Sequence, residues 1–174
     1  MAKTSKKQMD KDERKVIASL EKNAKESIDN IARKCGFSRQ KVWRIIKRLE
    51  KSKIIWGYSA VTDSERLGFN NYIVLIKKTN EPVAKLAELI ISREIEKKAR
   101  ELKVDITQSE YIHGKYDWGI CFSATDLKEA KRFCEALNIT FHKHIGDLIL
   151  MERIFSVKKC GIKNPHIRKL KEFL

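Results

Sequence analysis

An α+β fold is what this sequence predicts, helical through its first third and strand-led after it, and three observations carry the prediction. Ser38–Leu49 (SRQKVWRIIKRL) spaces Val42, Ile45, Ile46 and Leu49 at i, i+3, i+4 and i+7, the signature of one buried helical stripe. Tyr72–Ile76 (YIVLI) is a continuous apolar run, which reads as a buried strand. From that run onward the periodicities follow the order strand, helix, strand, strand, helix, strand.

In chain order, Met1–Met9 is basic and aperiodic and is expected to be a frayed terminal arm. Asp10 with Glu13 resembles a capping box with Asp in place of Ser or Thr, so a first helix runs from about Lys11 to Lys22 and buries Val16, Ile17 and Leu20. Ser27 caps a second helix over Ile28–Lys34, with Asp29 near its positive end and Ile28, Ile31 and Ala32 buried. Cys35-Gly36-Phe37 makes a tight turn in which Gly36 takes positive φ, and Ser38 caps the third helix. Three short helices with a glycine turn before a basic third one form a helix-turn-helix. Ile54-Ile55-Trp56, Gly57-Tyr58 and Val61 read as a short extended pair, the wing beside it. Leu67-Gly68 closes this unit, which spans 1–68.

Residues 69–174 form the second domain. After the first strand, Pro82 opens a helix whose stripe is Val83, Leu86-Ala87, Ile90-Ile91, Ile95 and Leu102. Val104–Ile112 is a second strand, His113–Asp117 a turn, and Trp118–Ala124 a third strand with Trp118, Ile120, Phe122 and Ala124 on one face. Asp126 and Glu129 repeat the capping pattern before a helix that buries Leu127, Ala130, Phe133-Cys134 and Leu137. Leu148–Val157 is a fourth strand, and Asn164-Pro165 starts a short final helix. This order is the ferredoxin-like βαββαβ plan, an antiparallel sheet with both helices on one face. Ile149 and Phe155 on one side of the last strand oppose Leu148, Leu150 and Ile154 on the other, so a second subunit is expected over the open face.

Charge narrows the partner. The chain of 174 residues carries a formal net charge of +15, and Met1–Arg66 alone holds 18 Lys/Arg against 9 Asp/Glu. An acidic partner follows, nucleic acid before an anionic membrane surface. The four widely spaced cysteines (Cys35, Cys121, Cys134, Cys160) include no CxxC and no apolar leader precedes them, so reduced thiols in a cytoplasmic protein are expected. No run approaches the ~20 apolar residues of a spanning helix. No phosphate loop, GxSxG or HExxH is present, and neither catalysis nor a cofactor is expected. His142 and His144 would share a face in a strand, with Cys160 as a third group in space, but two ligands without a fixed third read better as surface or interface histidines.

The third helix carries the candidate site. Gln40 and Arg44 suit base reading, with Arg39 at the groove edge, because Gln pairs bidentately with adenine and Arg with guanine. Lys41, Lys47 and Arg48 suit phosphates; Lys47 and Arg48 lie far from the helix N-terminus that normally enters the groove. Trp43 either packs on DNA sugars or covers the first helix, and a solvated basic face is the alternative for the whole helix.

The stretch from Asp10 to Tyr58, with Asp10, Asp12, Ala24, Ile31-Ala32, Gly36-Phe37-Ser38, Val42, Arg48-Leu49-Glu50, Ile54-Ile55 and Gly57-Tyr58, then Leu67-Gly68, resembles the winged helix of the Lrp/AsnC (feast/famine) transcription regulators. Ile45 stands where that family usually has Arg, and Lys53 where it usually has Gly. The second half is similar to the regulatory domain of the same family through Gly114-Lys115-Tyr116-Asp117, although Asn138–Asp147 aligns poorly. The resemblance implies a sequence-specific regulator binding double-stranded DNA through Ser38, Arg39, Gln40, Lys41, Trp43, Arg44, Lys47 and Arg48. It implies a homodimer, extendable to an octamer, that sets two recognition helices about 34 Å apart. It also implies a small effector such as an amino acid, for which Gly114 and Asp117 are the positions carried over. Siroheme decarboxylases share the two-domain plan, and a tetrapyrrole-binding enzyme is the alternative; it would need His and Arg to converge on the second domain, where Arg93, Arg100, Arg132 and Arg153 lie apart in sequence.

Overall fold

A computed structural model describes residues 10–174; the basic stretch Met1–Met9 lies outside the described residues. The chain separates into two compact units, one made of Met1–Val61, as far as it is described, with Val157–Ile167, and the other of Thr62–Ser156 with Arg168–Leu174.

The first unit is built on α1 (Lys11–Lys22), α2 (Ile28–Cys35) and α3 (Arg39–Lys51). Each begins on a side-chain cap. Asp10 accepts the Glu13 N–H at 2.7 Å while Glu13 returns a bond to the Asp10 N–H at 3.0 Å, closing the capping box. Ser27 and Ser38 accept from Asn30 and Lys41. The three stripes meet in one core of Val16, Ile31, Ala32, Val42, Ile45 and Leu49, none more than 5% exposed. Ile45 is therefore a core residue.

Lys53 takes φ +57 just after α3. A Cβ in the left-handed region costs roughly 1 kcal/mol, and glycine escapes it. Lys53→Gly is accordingly expected to stabilise this unit by about 0.5–1 kcal/mol, read as a raised midpoint in urea unfolding.

The extended pair expected at Ile54–Val61 does not form. These residues make no strand, and Trp56 is 95% exposed. Two such short runs flanking Gly57 are too short to hold a hairpin by themselves. The two-stranded hairpin of this unit comes instead from the far end of the chain, as β5 (Lys158–Lys159) and β6 (Ile162–Lys163), labelled in chain order with the strands below.

The second unit contains β1 (Asn70–Lys78), α4 (Val83–Ile91), α5 (Glu94–Glu101), β2 (Asp105–Tyr111), β3 (Trp118–Ala124), α6 (Leu127–Thr140) and β4 (Ile145–Arg153). All sheet pairings are antiparallel and the strand order is β2-β3-β1-β4, the expected ferredoxin-like arrangement. Tyr72, Val74 and Ile76 from β1 and Trp118, Ile120, Phe122 and Ala124 from β3 form the inner face, packed with Leu86, Ile95, Phe133 and Leu137 of the helices.

Several expectations need correction. The single helix after Pro82 is two, because Ser92 turns its hydroxyl back on the Leu89 carbonyl at 2.9 Å and Arg93 goes left-handed at φ +58. The break re-aims the stripe, so Ile91 is 78% exposed while Ile95 is buried. Leu127, at the first position of α6, is exposed rather than buried. β4 runs Ile145–Arg153 and ends before Phe155, whose ring packs 5.5 Å from Phe173 instead. The final helix is a 3-10 segment, Ile167–Glu172.

Candidate nucleic-acid interface

The turn that presents α3 is fixed by backbone chemistry. Gly36 at φ +70 donates to the Arg33 carbonyl, and Phe37 donates to Ala32 at 2.9 Å, the paired bonds that close a helix on a left-handed residue. Ser38, extended at ψ 152, then starts α3 at once. A non-glycine at position 36 would meet no neighbouring atom, so only its backbone conformation makes glycine necessary there.

Along α3 the polar side chains divide into two groups. Arg39 pairs with Asp29 of α2 at 3.2 Å. Lys41 reaches Asp12 of α1 at 2.6 Å and lies 4.2 Å over the Phe37 ring. Arg48 spans the α1 capping box, with Nε 2.8 Å from Glu13 and Nη2 3.1 Å from Asp10. Lys47 pairs with Glu50 one turn on, at 2.9 Å, and Glu50 also accepts the Tyr58 hydroxyl. Gln40 and Arg44 form the second group. They lie at i and i+4 in the first two turns of α3, both exposed, and have no side-chain partner among the described residues. Trp43, 51% exposed, stands between them in sequence.

Sequence reasoning placed all eight residues on or at the cap of this helix, and the structure brings them there. It did not find their acidic partners. Asp10, Asp12, Glu13 and Asp29 engage three of the cations, and nothing in helical periodicity pairs residues 29 or 38 positions apart.

The first unit's carboxylates respond to these contacts. Asp10 is held below the usual carboxylate range, first by the Glu13 N–H and then by Arg48; Glu26 is held down by Lys34, and Glu50 by Lys47 and Tyr58. A carboxylate with a depressed folded value favours folding above its unfolded value and loses that contribution as pH falls through the folded one. Melting temperature followed by circular dichroism should therefore hold from neutrality to about pH 5 and drop progressively below about pH 4. Asp10→Asn should start lower at neutral pH and show a shallower acid decline.

Gly114 and Asp117 lie in the second unit, in and at the end of the turn between β2 and β3. Gly114 adopts φ +155. Asp117 Oδ2 accepts the Lys78 N–H at 3.0 Å and pairs with Lys77 at 3.1 Å, and these contacts, the backbone bond foremost, lower its pKa. Its own peptide bonds to Ile76 and Ile112, so it ties the turn to β1. His142 sits in a turn against the Ile139 carbonyl, and His144 is buried in the same turn rather than in a strand. Among the described residues no group of three His, Cys, Asp or Glu is placed to hold a metal, and no helix is long and apolar enough to cross a membrane.

A family model for winged helix-turn-helix DNA-binding domains matches residues 9–55. No curated protein matches the chain. Among solved structures, an AsnC family transcriptional regulator from Agrobacterium tumefaciens superposes with a TM-score of 0.66 at 18% identity, over 87% of this chain and 94% of that one. A Neisseria meningitidis transcriptional regulator in complex with L-Met gives 0.65 at 16% identity, over 87% and 93%. LrpC of B. subtilis gives 0.63 at 18% identity, over 87% and 98%. The chain thus carries a winged helix-turn-helix DNA-binding unit ahead of a ferredoxin-like domain, and its fold is that of the Lrp/AsnC transcription regulators.

Proposed function

We propose that this protein is a sequence-specific DNA-binding transcription regulator that works as a homodimer, acts without catalysis and is tuned by a small ligand. The observation that carries the reading is the division along α3: Arg39, Lys41, Lys47 and Arg48 already have carboxylate partners, while Gln40 and Arg44 stand exposed with none among the described residues. Side chains of those two kinds, one helical turn apart, suit bidentate reading of adenine and guanine in the major groove. Lys47 and Arg48 serve phosphates from the far end of the helix, and Lys41 and Arg39 can exchange an exposed carboxylate for a phosphate at the groove edge. Ser38 donates at the helix start, where backbone N–H groups favour an anion, and Trp43 packs on the sugar backbone. A pair of such helices about 34 Å apart matches a near-palindromic site. The domain boundary that goes with this reading falls at 68/69, after the Gly68 turn.

The effector reading rests on the second unit. Both side-chain contacts of Asp117 fall on Oδ2, so Oδ1 is the atom for an incoming amino group, with Gly114 allowing close approach of the ligand to the turn. An amino acid is the class that fits, and the L-Met complex of the Neisseria protein is the matching case among the relatives. No observation favours the tetrapyrrole enzyme: Arg132 pairs with Glu129 on its own helix and Arg100 with the Glu96 carbonyl.

The test is binding of the purified protein to fluorescent genomic fragments across a salt series. Tight binding to a few fragments, persisting as salt rises, is the expected outcome. Uniform weak binding that fades with salt would sink the regulator reading and leave a charge-driven binder.

A further inference from the structure

We propose that the β5–β6 hairpin, contributed by the C-terminal end of the chain, is the wing of the DNA-binding unit and contacts the phosphate backbone of duplex DNA through Lys158 and Lys163. The inference rests on the DNA-binding reading above and extends it to a segment more than 100 residues from α3.

Four observations carry it. Val157–Ile167 belongs to the same compact unit as α1–α3, although the strand before it belongs to the other unit. The segment where a wing was expected, Ile54–Val61, forms no strand, and the family-model match ends at residue 55. The hairpin itself closes on a defined turn. Cys160 and Gly161 take φ +46 and +82, the doubly left-handed loop that suits the twist of a two-residue hairpin, and Asn164 donates to the Val157 carbonyl at 3.1 Å.

The fourth observation is its charge. Val157–Ile167 holds three lysines and no carboxylate. Lys158 and Lys163 face each other directly in the ladder, both exposed, while Lys159 and Ile162 take the opposite face. Like charges directly opposite in an antiparallel pair destabilise it. An anion between the two ammonium groups relieves that repulsion, and a phosphate oxygen supplies such a charge. The winged helix supplies the partner, since the same unit already presents a base-reading helix to duplex DNA. A turn-closed hairpin brings the two ammonium groups to one place, so a single stretch of backbone can meet both.

The test compares wild type, Lys158→Gln/Lys163→Gln, Lys158→Arg/Lys163→Arg and Gln40→Ala/Arg44→Ala on two probes, a fragment selected by the wild type and a random-sequence duplex of equal length. The glutamine variant is expected to bind both probes several-fold more weakly, with their ratio unchanged. Its slope of log K against log salt should be smaller by roughly one to two per bound chain, and the arginine variant should restore wild-type behaviour. Matching melting curves confirm that the fold is intact. Unchanged affinity and slope in the glutamine variant, while Gln40→Ala/Arg44→Ala still loses discrimination, would overturn the wing and leave the regulator standing. Loss of discrimination in the glutamine variant would overturn the phosphate assignment. Absence of selective binding by the wild type would overturn both readings together.

Discussion

Gln40→Ala/Arg44→Ala is expected to bind selected and random DNA almost equally. A bidentate contact to the right base is worth about 1–3 kcal/mol of discrimination, which is about 5- to 150-fold for each residue. Both side chains are exposed and bonded to no described residue, so their removal leaves no buried group stranded and should not lower the melting temperature. The contrast with Arg48 is what makes the result diagnostic. Arg48 holds Asp10 and Glu13 of α1, so Arg48→Ala should lower stability as well as affinity, and should weaken every sequence alike. A double variant that retains discrimination, measured by competition with random duplex at fixed salt, would remove α3 from base reading.

The fold was legible where local chemistry and periodicity agree. Asp10–Glu13, Ser27, Ser38 and Asp126 announce helix starts because a side-chain acceptor at that place satisfies an orphan N–H, and all four do so in the structure. Trp118–Ala124 was legible to the residue because bulky Trp118, Ile120 and Phe122 alternate with Gly119, Cys121 and Ser123 and mark the core face. The split between α4 and α5 was not, since Val83 to Leu102 keeps an unbroken apolar stripe and the break depends on Ser92 competing for a carbonyl. Phe155 was misplaced for a similar reason: its spacing continues the β4 alternation, while its ring lies against Phe173, a contact that periodicity does not reveal.

Of the candidate site, the helix and its residues were legible from charge and stripe. The hairpin was not, because two strands of two residues carry no readable period and a unit assembled from segments far apart in the chain leaves no mark in local sequence. The lysine-rich run Lys158–Lys163 around a Cys-Gly turn was the available signal.

Leu75→Asp is expected to convert the protein to monomers and to cost most of its DNA affinity. β1 turns Tyr72, Val74 and Ile76 toward the helices, which leaves Ile73 and Leu75 on the other face of the sheet. Register places Ile73 beside Cys121 and Met151, and Leu75 beside Gly119 and Ile149, so the centre of that face is apolar. Ile149 and Met151 are 38% and 39% exposed, and α4, α5 and α6 turn their apolar stripes to the core on the other face of the sheet. A second copy of the same face is the cover proposed here, since a self-complementary apolar surface closes as a two-fold dimer. An aspartate at position 75 would be accommodated in water by the free chain, outside the core, but would have to be desolvated opposite its own copy in the dimer. Sedimentation of wild type and variant at micromolar concentration decides the matter. A wild-type dimer with a folded monomeric variant is the expected pair, and DNA affinity should fall with it because two half-sites bound by one dimer gain an effective concentration that separate chains lack. An unchanged sedimentation coefficient in Leu75→Asp would place the dimer contact elsewhere, with Ile54, Trp56 and Tyr58, all at least half exposed, as the next surface to test.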